Sequence, residues 1–141
     1  FRGFYSQDRS KTFFHGHSYA GSPLACAAAV ANLEIFDQEP VMERIAEIGR
    51  IHELQLKRFA GRPEVREIRR RGTIAAIELE VGDGGYLSRL GPKLYRFYLA
   101  KNVLLRPLGN VVYLLPPYCS TENELERAYD AIEESLSFVR P

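Results

Sequence analysis

The feature that most constrains the fold is a pair of short β-favouring stretches in the middle of the chain, VREIRR and TIAAIELEV, within residues 65–81. Gly72 lies between them at the position of a turn or bulge, so the two stretches predict adjacent strands. Residues 103–106 and 111–115 are two more apolar stretches, and the Pro-Leu-Gly-Asn sequence between them suits a tight reversal. The sequence therefore predicts two hairpins and a mainly antiparallel sheet.

A helix is predicted ahead of these strands. Residues 22–36 open with Ser22, a capping residue, and Pro23, the residue type best suited to the first helical position. The body of this segment is apolar nearly all round and rich in alanine. Because a helix without a polar face needs cover on several sides, we expect it to be buried.

Three further helices are predicted from their starting residues and their apolar stripes. The second helix starts at Pro40, the third starts at Pro92, and the fourth follows a capping box made by Thr121 and Glu124. Helices that bracket strand pairs cover one face of the sheet, so the predicted fold class is α+β. The side chains expected to face inward are Val41, Ile45, Ile48, His52, Phe59, Leu94, Phe97, Tyr98, Leu125, Ala128, Ile132, Leu136 and Val139.

Composition narrows the classes of partner. The chain has 141 residues, of which 45% are hydrophobic, so it can build a core without a disulfide or a metal ion. Its formal net charge of +1 creates no field that would attract nucleic acid or an anionic membrane. No apolar run approaches the roughly 18 residues of a membrane span, and Cys26 and Cys119 lack metal-ligand spacing. We expect a cytoplasmic, soluble chain without a metal site.

Two places could carry chemistry. In the loop ahead of the first helix, Gly16 lets the backbone approach a ligand and Ser18 offers a hydroxyl, which suits an anion such as a phosphate. The alternative is a connecting loop with solvated histidines. Arg106 ends an apolar stretch, where its guanidinium suits a carboxylate, with Tyr113 across the turn. The alternative there is a structural ion pair, and the run Arg69-Arg70-Arg71 is read as a solvated strand edge.

Two longer stretches, HGHSYAGSPLACAAAVANLEIF and NVLLRPLGNVVYLLPPYCST, give the chain a family resemblance. The first resembles a run found in many class III, pyridoxal-phosphate-dependent aminotransferases. The second is similar to a stretch particular to the members of that family that act in biotin biosynthesis. The resemblance covers essentially the whole chain, and it implies the small C-terminal α+β domain of a pyridoxal-phosphate-dependent transferase of fold type I.

The resemblance also implies roles for the candidate residues. Ser18 matches a hydroxyl residue that binds the cofactor phosphate of the neighbouring subunit, with His17 beside it, which implies a homodimer. Arg106 matches an arginine that binds the carboxylate of the amino-oxo fatty acid substrate, and Tyr113 matches a tyrosine of the same pocket. The implied reaction transfers the amino group of S-adenosylmethionine to 8-amino-7-oxononanoate and yields 7,8-diaminononanoate.

The family's reaction requires a lysine that binds pyridoxal phosphate covalently. None of the four lysines here, Lys11, Lys57, Lys93 and Lys101, stands in such a context, and the chain begins with Phe1 instead of methionine. We therefore expect a C-terminal fragment that is inactive alone. Residues 1–21 would be an active-site loop on the large-domain side, and residues 22–141 the small domain. Two alternatives stay open: another class III aminotransferase of the ω-amino acid or ornithine type, and a non-catalytic α+β dimerisation domain.

Overall fold

The structure, a computed structural model, describes residues 2–82 and 84–139. It divides into two compact units, Phe1–Glu39 and Pro40–Pro141, which are described separately. Part of the predicted loop at Asp83-Gly84-Gly85 lies outside the described residues, because Asp83 is among those left out.

The first unit contains a 3-10 turn, Arg9–Lys11, and helix α1, Pro23–Gln38. The predicted start of α1 is confirmed, since Pro23 occupies its first position. The predicted cap is wrong, because the Ser22 side chain makes no capping hydrogen bond. The predicted burial is also wrong, because no residue of α1 is buried. An apolar helix needs other parts of the protein packed against it to become buried, and the first unit has too little chain to provide them.

The second unit alternates helices and strands. Its elements are α2 (Val41–Leu56) with a 3-10 extension (Lys57–Phe59), β1 (Val65–Arg71), β2 (Ile74–Leu79), α3 (Leu90–Ala100), β3 (Val111–Leu114), and α4 (Glu122–Ser135) with a 3-10 extension (Leu136–Phe138). The capping box of α4 is confirmed, and α3 begins two residues before Pro92. None of the helices in the described part of the chain is both long enough and apolar enough to span a bilayer.

The three strands form one antiparallel sheet in the order β1-β2-β3. The predicted first hairpin is confirmed, with Ile68 opposite Ile77 and with Gly72 in the turn at φ +56°. Strand β2 lies in the centre, where Ile77 pairs with Val112 of β3. The α+β class and the antiparallel sheet are therefore as predicted.

The second predicted hairpin is largely wrong. Residues 103–106, all of them described, form no strand. The hairpin is reduced to a single bridge between Leu108 and Val111. Two local features explain the difference: Leu105 N–H donates to the Val103 carbonyl at 3.2 Å in a three-residue turn, and Pro107 has no N–H to give to a ladder.

The core lies between the sheet and helices α2, α3 and α4. Alternate residues of β2 and β3 point into it, and each of the three helices buries one face. The predicted inward residues Ile45, Phe97 and Val139 are half-buried, and the others are buried. The main cluster comprises Leu56, Phe59, Ala75, Ile77, Leu79, Leu90, Leu94, Tyr98, Leu105, Val112, Leu114, Ala128, Tyr129, Ala131, Ile132 and Leu136.

Candidate functional site

The loop ahead of α1 consists of two successive turns. The Ala20 N–H donates to the His17 carbonyl at 2.9 Å, and the Ser22 N–H donates to the Tyr19 carbonyl at 3.1 Å. These bonds order the backbone up to the start of the helix. Ser18 lies within the first turn, and its side chain is exposed.

The chemistry of this loop suits an anion. His17 Nδ1 accepts a hydrogen bond from the Tyr19 N–H at 3.1 Å, so a neutral His17 ring carries its proton on Nε2, where it can be donated outward. The Ser18 hydroxyl is a second donor. A Cβ built on Gly16 meets no described atom within 4 Å, so the backbone there is open to a ligand. A hydroxyl, an imidazole N–H and an accessible glycine fit the phosphate of a cofactor such as pyridoxal phosphate.

The backbone on both sides of Arg106 is held in place. Leu105 before it belongs to the core and is 8% exposed. Pro107 follows it, and Leu108 then pairs with Val111 through hydrogen bonds of 2.9 and 3.0 Å. The Arg106 side chain itself is exposed. The backbone of Arg106 is therefore held in place, while its guanidinium stays accessible.

Tyr113 and Arg106 line the same cleft, which has a volume of about 390 Å³. Strand β3 turns Val112 and Leu114 into the core, so Tyr113 projects to the opposite face, where it is half-buried. Most other lining residues are apolar. They are Val103, Leu104, Leu105, Leu114, Leu115, Pro116, Pro117, Leu125 and Ala128, with Ser120 and Glu124 as the polar members.

The charges at this cleft favour a carboxylate ligand. Arg106 takes part in no ion pair among the described residues, so its positive charge is not neutralised there. Glu124 would repel an acid, but its carboxylate accepts the Thr121 N–H at 2.8 Å in the capping box of α4. This backbone hydrogen bond, helped by the Thr121 hydroxyl, lowers the pKa of Glu124 and ties its charge to the helix start.

Arg106 also lines a second cleft, of about 740 Å³. Tyr86, Tyr95 and Leu108 line it together with Arg106. Arg106 thus stands at the boundary of two clefts, and Tyr113 distinguishes the smaller one. Among the described residues, no group of three or more His, Cys, Asp or Glu side chains is placed to hold a metal ion.

The structure brings together part of the residue set predicted from the sequence. Arg106 and Tyr113 share a cleft, whereas Ser18 and His17 belong to the first unit. Sequence reasoning treated Gly109 and Asn110 only as turn formers. Both are buried and both hold the turn that follows Arg106. The Gly-Asn pair at the tip of a predicted reversal was the available signal.

Comparison with known proteins places these residues in a family context. The family model described as Aminotransferase class-III matches residues 4–136. The adenosylmethionine-8-amino-7-oxononanoate aminotransferase of Synechococcus elongatus is 44% identical over 137 residues, which is 96% of this chain and 32% of that protein. The protein of the same name from Methanocaldococcus jannaschii is 36% identical over 134 residues, covering 90% of this chain and 29% of its own length.

Solved structures agree with the sequence relatives. The crystal structure of the Methanocaldococcus jannaschii adenosylmethionine-8-amino-7-oxononanoate aminotransferase superposes with a TM-score of 0.79 at 35% identity, covering 92% of this chain and 31% of that one. A thermostable omega transaminase from Pseudomonas jessenii gives a TM-score of 0.75 at 30% identity, with 92% and 31% covered. The chain spans about a third of the length of the relatives it matches.

Proposed function

The chain belongs to the class-III aminotransferase family, and from this membership we propose that it forms the small C-terminal domain of a cytoplasmic, pyridoxal-phosphate-dependent aminotransferase of biotin biosynthesis. The whole protein transfers the amino group of S-adenosylmethionine to 8-amino-7-oxononanoate and produces 7,8-diaminononanoate. The names of the relatives described above support this reaction. Within the proposed enzyme, residues 1–21 are an active-site loop on the large-domain side and residues 22–141 are the small domain.

The observation that carries the proposal is the cleft shared by Arg106 and Tyr113. The acceptor is a carboxylic acid on an aliphatic chain, and the cleft offers a guanidinium without an ion-pair partner among the described residues beside an apolar lining. The guanidinium binds the acid through two parallel N–H donors. The Tyr113 ring packs against the aliphatic chain of the acceptor, and the Tyr113 hydroxyl can donate a hydrogen bond to the acceptor's carboxylate. Arg106 thereby orients the acceptor from its far end.

The loop at Ser18 supplies the cofactor contacts in this proposal. The Ser18 hydroxyl donates a hydrogen bond to the cofactor phosphate, and the Nε2–H of His17 donates a second one from the adjacent position. When bound, pyridoxal phosphate stores the amino group between its removal from the donor and its delivery to the acceptor. The four lysines of this chain are all exposed. We assign the cofactor-binding lysine to the rest of the protein, so the chain alone is inactive.

A homodimer is part of the same proposal, with Ser18 serving the cofactor of the neighbouring subunit. The exposed apolar side chains of α1 support it. Leu24 is 85% exposed and Leu33 is 63% exposed, and large apolar side chains displayed in this way mark surfaces that associate.

Replacing Arg106 tests the proposed acceptor site in the whole protein. Removal of one partner of a desolvated arginine-carboxylate contact costs about 2 to 4 kcal/mol, which corresponds to an increase of roughly 30- to 700-fold in the acceptor KM of Arg106→Ala. Steady-state kinetics with varied 8-amino-7-oxononanoate measures it. Arg96→Ala is the matched control, because Arg96 lies on the exposed side of α3 and lines neither cleft. An acceptor KM that is the same in Arg106→Ala and wild type would remove the role of Arg106.

The choice of amino donor separates the proposal from its rival within the family. An omega transaminase structure has nearly the same fold over this segment, so the fold alone does not distinguish the two activities. The proposed enzyme accepts the amino group of S-adenosylmethionine. Transfer from ω-amino acids together with failure to use S-adenosylmethionine would favour the rival.

A further inference from the structure

The turn that follows Arg106 is a tight hairpin turn that requires glycine at position 109. The Leu108 N–H donates to the Val111 carbonyl, and the Val111 N–H donates back. Gly109, the first of the two central residues, has φ +63°, which is the geometry of a type II′ turn. Such turns commonly lie on the surface, but here Asn110 is only 2% exposed.

The buried Asn110 side chain forms hydrogen bonds with two distant parts of the chain. Its Oδ1 accepts a hydrogen bond from the Gly85 N–H at 2.7 Å, and its Nδ2 donates to the Leu79 carbonyl at 2.8 Å. The Asn110 carbonyl also accepts the Leu79 N–H at 2.9 Å. One residue therefore connects the turn to the end of β2 and to the loop ahead of α3.

The backbone is closely packed on two sides of this turn. A Cβ built on Gly109 would lie 1.8 Å from the Gly85 carbonyl oxygen, so the two loops are in direct backbone contact. A Cβ built on Gly91 would lie 3.0 Å from the Gly109 carbonyl oxygen, which places the start of α3 against the same turn. The position of the turn is thus set by neighbours on two sides, and the amide of Asn110 is the polar link between them.

The chemistry of the link is specific to a carboxamide. The Gly85 N–H requires an acceptor and the Leu79 carbonyl requires a donor, and the Asn110 side chain presents one of each at the two ends of one planar group. An aspartate would keep the first bond and oppose the second with its charge. An alanine would leave the buried Leu79 carbonyl and the partly buried Gly85 N–H without these partners.

We propose that Asn110 is a positioning residue for carboxylate recognition by Arg106. Arg106 lies between the buried Leu105 and this turn, so the bonds of Asn110 fix the origin of the guanidinium before the substrate arrives. An arginine whose backbone is held in advance loses less freedom when it binds, which favours an acid over an uncharged analogue. The inference rests on the proposed function, because it takes the substrate carboxylate as the ligand of Arg106.

The test compares two acceptors in the whole protein, 8-amino-7-oxononanoate and its methyl ester. The ratio of kcat/KM for the acid to kcat/KM for the ester reports recognition of the carboxylate. We expect wild type to prefer the acid, Arg106→Ala to lose that preference, and Asn110→Ala to reduce it about tenfold or more through the KM of the acid. Asn123→Ala, an exposed asparagine in the first turn of α4, is the matched control and keeps the wild-type ratio.

Asn110→Asp keeps the inference testable if Asn110→Ala does not fold, because it retains the acceptor for Gly85 and should also lower the ratio. A merely structural role would reduce kcat/KM for acid and ester alike and leave their ratio unchanged in both variants, which overturns the inference. A different result bears on the proposed function itself. If wild type and Arg106→Ala show the same ratio, Arg106 does not read the carboxylate, whatever Asn110 does.

Discussion

At the scale of single residues, a tightly constrained polar group outside the clefts is His52. It is completely buried on α2, where its Nδ1 lies 2.7 Å from the Tyr129 hydroxyl of α4 and its Nε2 lies 3.0 Å from the Thr73 carbonyl in the β1-β2 turn. The Thr73 carbonyl can only accept, so Nε2 carries the proton and Nδ1 accepts from Tyr129. This arrangement uses a neutral ring and ties two helices to the sheet.

Burial lowers the pKa of His52; the bond to Thr73 partly opposes this shift, and the nearby Arg70 adds to it. In the unfolded chain the ring titrates near its ordinary value of about 6.5, so below that pH the unfolded state binds more protons than the folded state. Stability from this group is therefore complete above about pH 6.5 and declines as the pH falls toward the folded pKa.

We predict that the thermal unfolding midpoint falls between pH 8 and pH 5.5, roughly the range over which an ordinary histidine titrates, and that His52→Gln flattens this dependence. Scanning calorimetry across that range measures it. His15→Gln is the control, since His15 is exposed and should leave the slope unchanged. An equally steep slope in His52→Gln would mean that other groups cause the acid sensitivity.

At the scale of elements, two α-helix starts in the described part of the chain carry a serine or threonine cap residue, and they behave differently. Thr121 accepts the Glu124 N–H at 3.3 Å and its own N–H donates to the Glu124 carboxylate, so α4 has a complete capping box. Ser22 stands at the start of α1 without a side-chain capping bond. Two residues that sequence patterns treat alike therefore contribute differently to stability.

We predict that Thr121→Ala lowers the free energy of unfolding by about 1 kcal/mol, the usual value of an N-cap bond, and that Ser22→Ala lowers it by a few tenths at most. Urea unfolding of both variants measures the difference, with Ser22→Ala as the matched control. Equal losses in the two variants would show that the box at α4 adds nothing beyond helix propensity.

The same contrast explains how far the sequence predicts the fold. Periodicity and starting residues predicted helices α1 to α4 and the first hairpin, because these features are local. Residues 103–106 were predicted as a strand from their apolar character, but Pro107 and the turn at Val103 and Leu105 prevent a ladder. Strand propensity depends on the side chains, whereas a strand forms only where the backbone N–H and C=O groups find partners in a neighbouring strand.

The site was predictable to a similar extent. Arg106 and Tyr113 are joined by one short turn, so their common cleft follows from local sequence. The part played by Asn110 depends on Leu79 and Gly85, which are 31 and 25 residues away in the chain. A contact over that distance requires the register of the whole sheet, which the sequence pattern did not supply.

At the scale of the whole molecule, the first unit displays apolar surface that it does not itself cover. Helix α1 buries no residue, although its composition is that of an interior helix. The relatives are about three times as long as this chain, which is consistent with further protein lying against such a surface. Under the proposed function, part of that protein is a second copy, and Ser18 acts in the site of that copy.

A mixing experiment with the whole protein tests the shared site. One subunit carries Ser18→Glu, whose charge repels the cofactor phosphate. The other lacks the cofactor-binding lysine that we assign to the rest of the protein. Each homodimer should be inactive, because every site contains one defect. In the mixed dimer one site combines the lysine of the first subunit with Ser18 of the second, so that site is intact.

Random reassociation should then restore about a quarter of the wild-type activity, since half of the dimers are mixed and each has one working site of two. Aminotransferase activity after co-refolding or co-expression measures the recovery. Ser10→Glu replaces Ser18→Glu in the control, because Ser10 is also exposed but lies in the 3-10 turn well ahead of the loop. A subunit with Ser10→Glu should be active without any partner. If mixing Ser18→Glu with the lysine variant restores nothing, both defects fall in the same site, and Ser18 binds the cofactor of its own subunit.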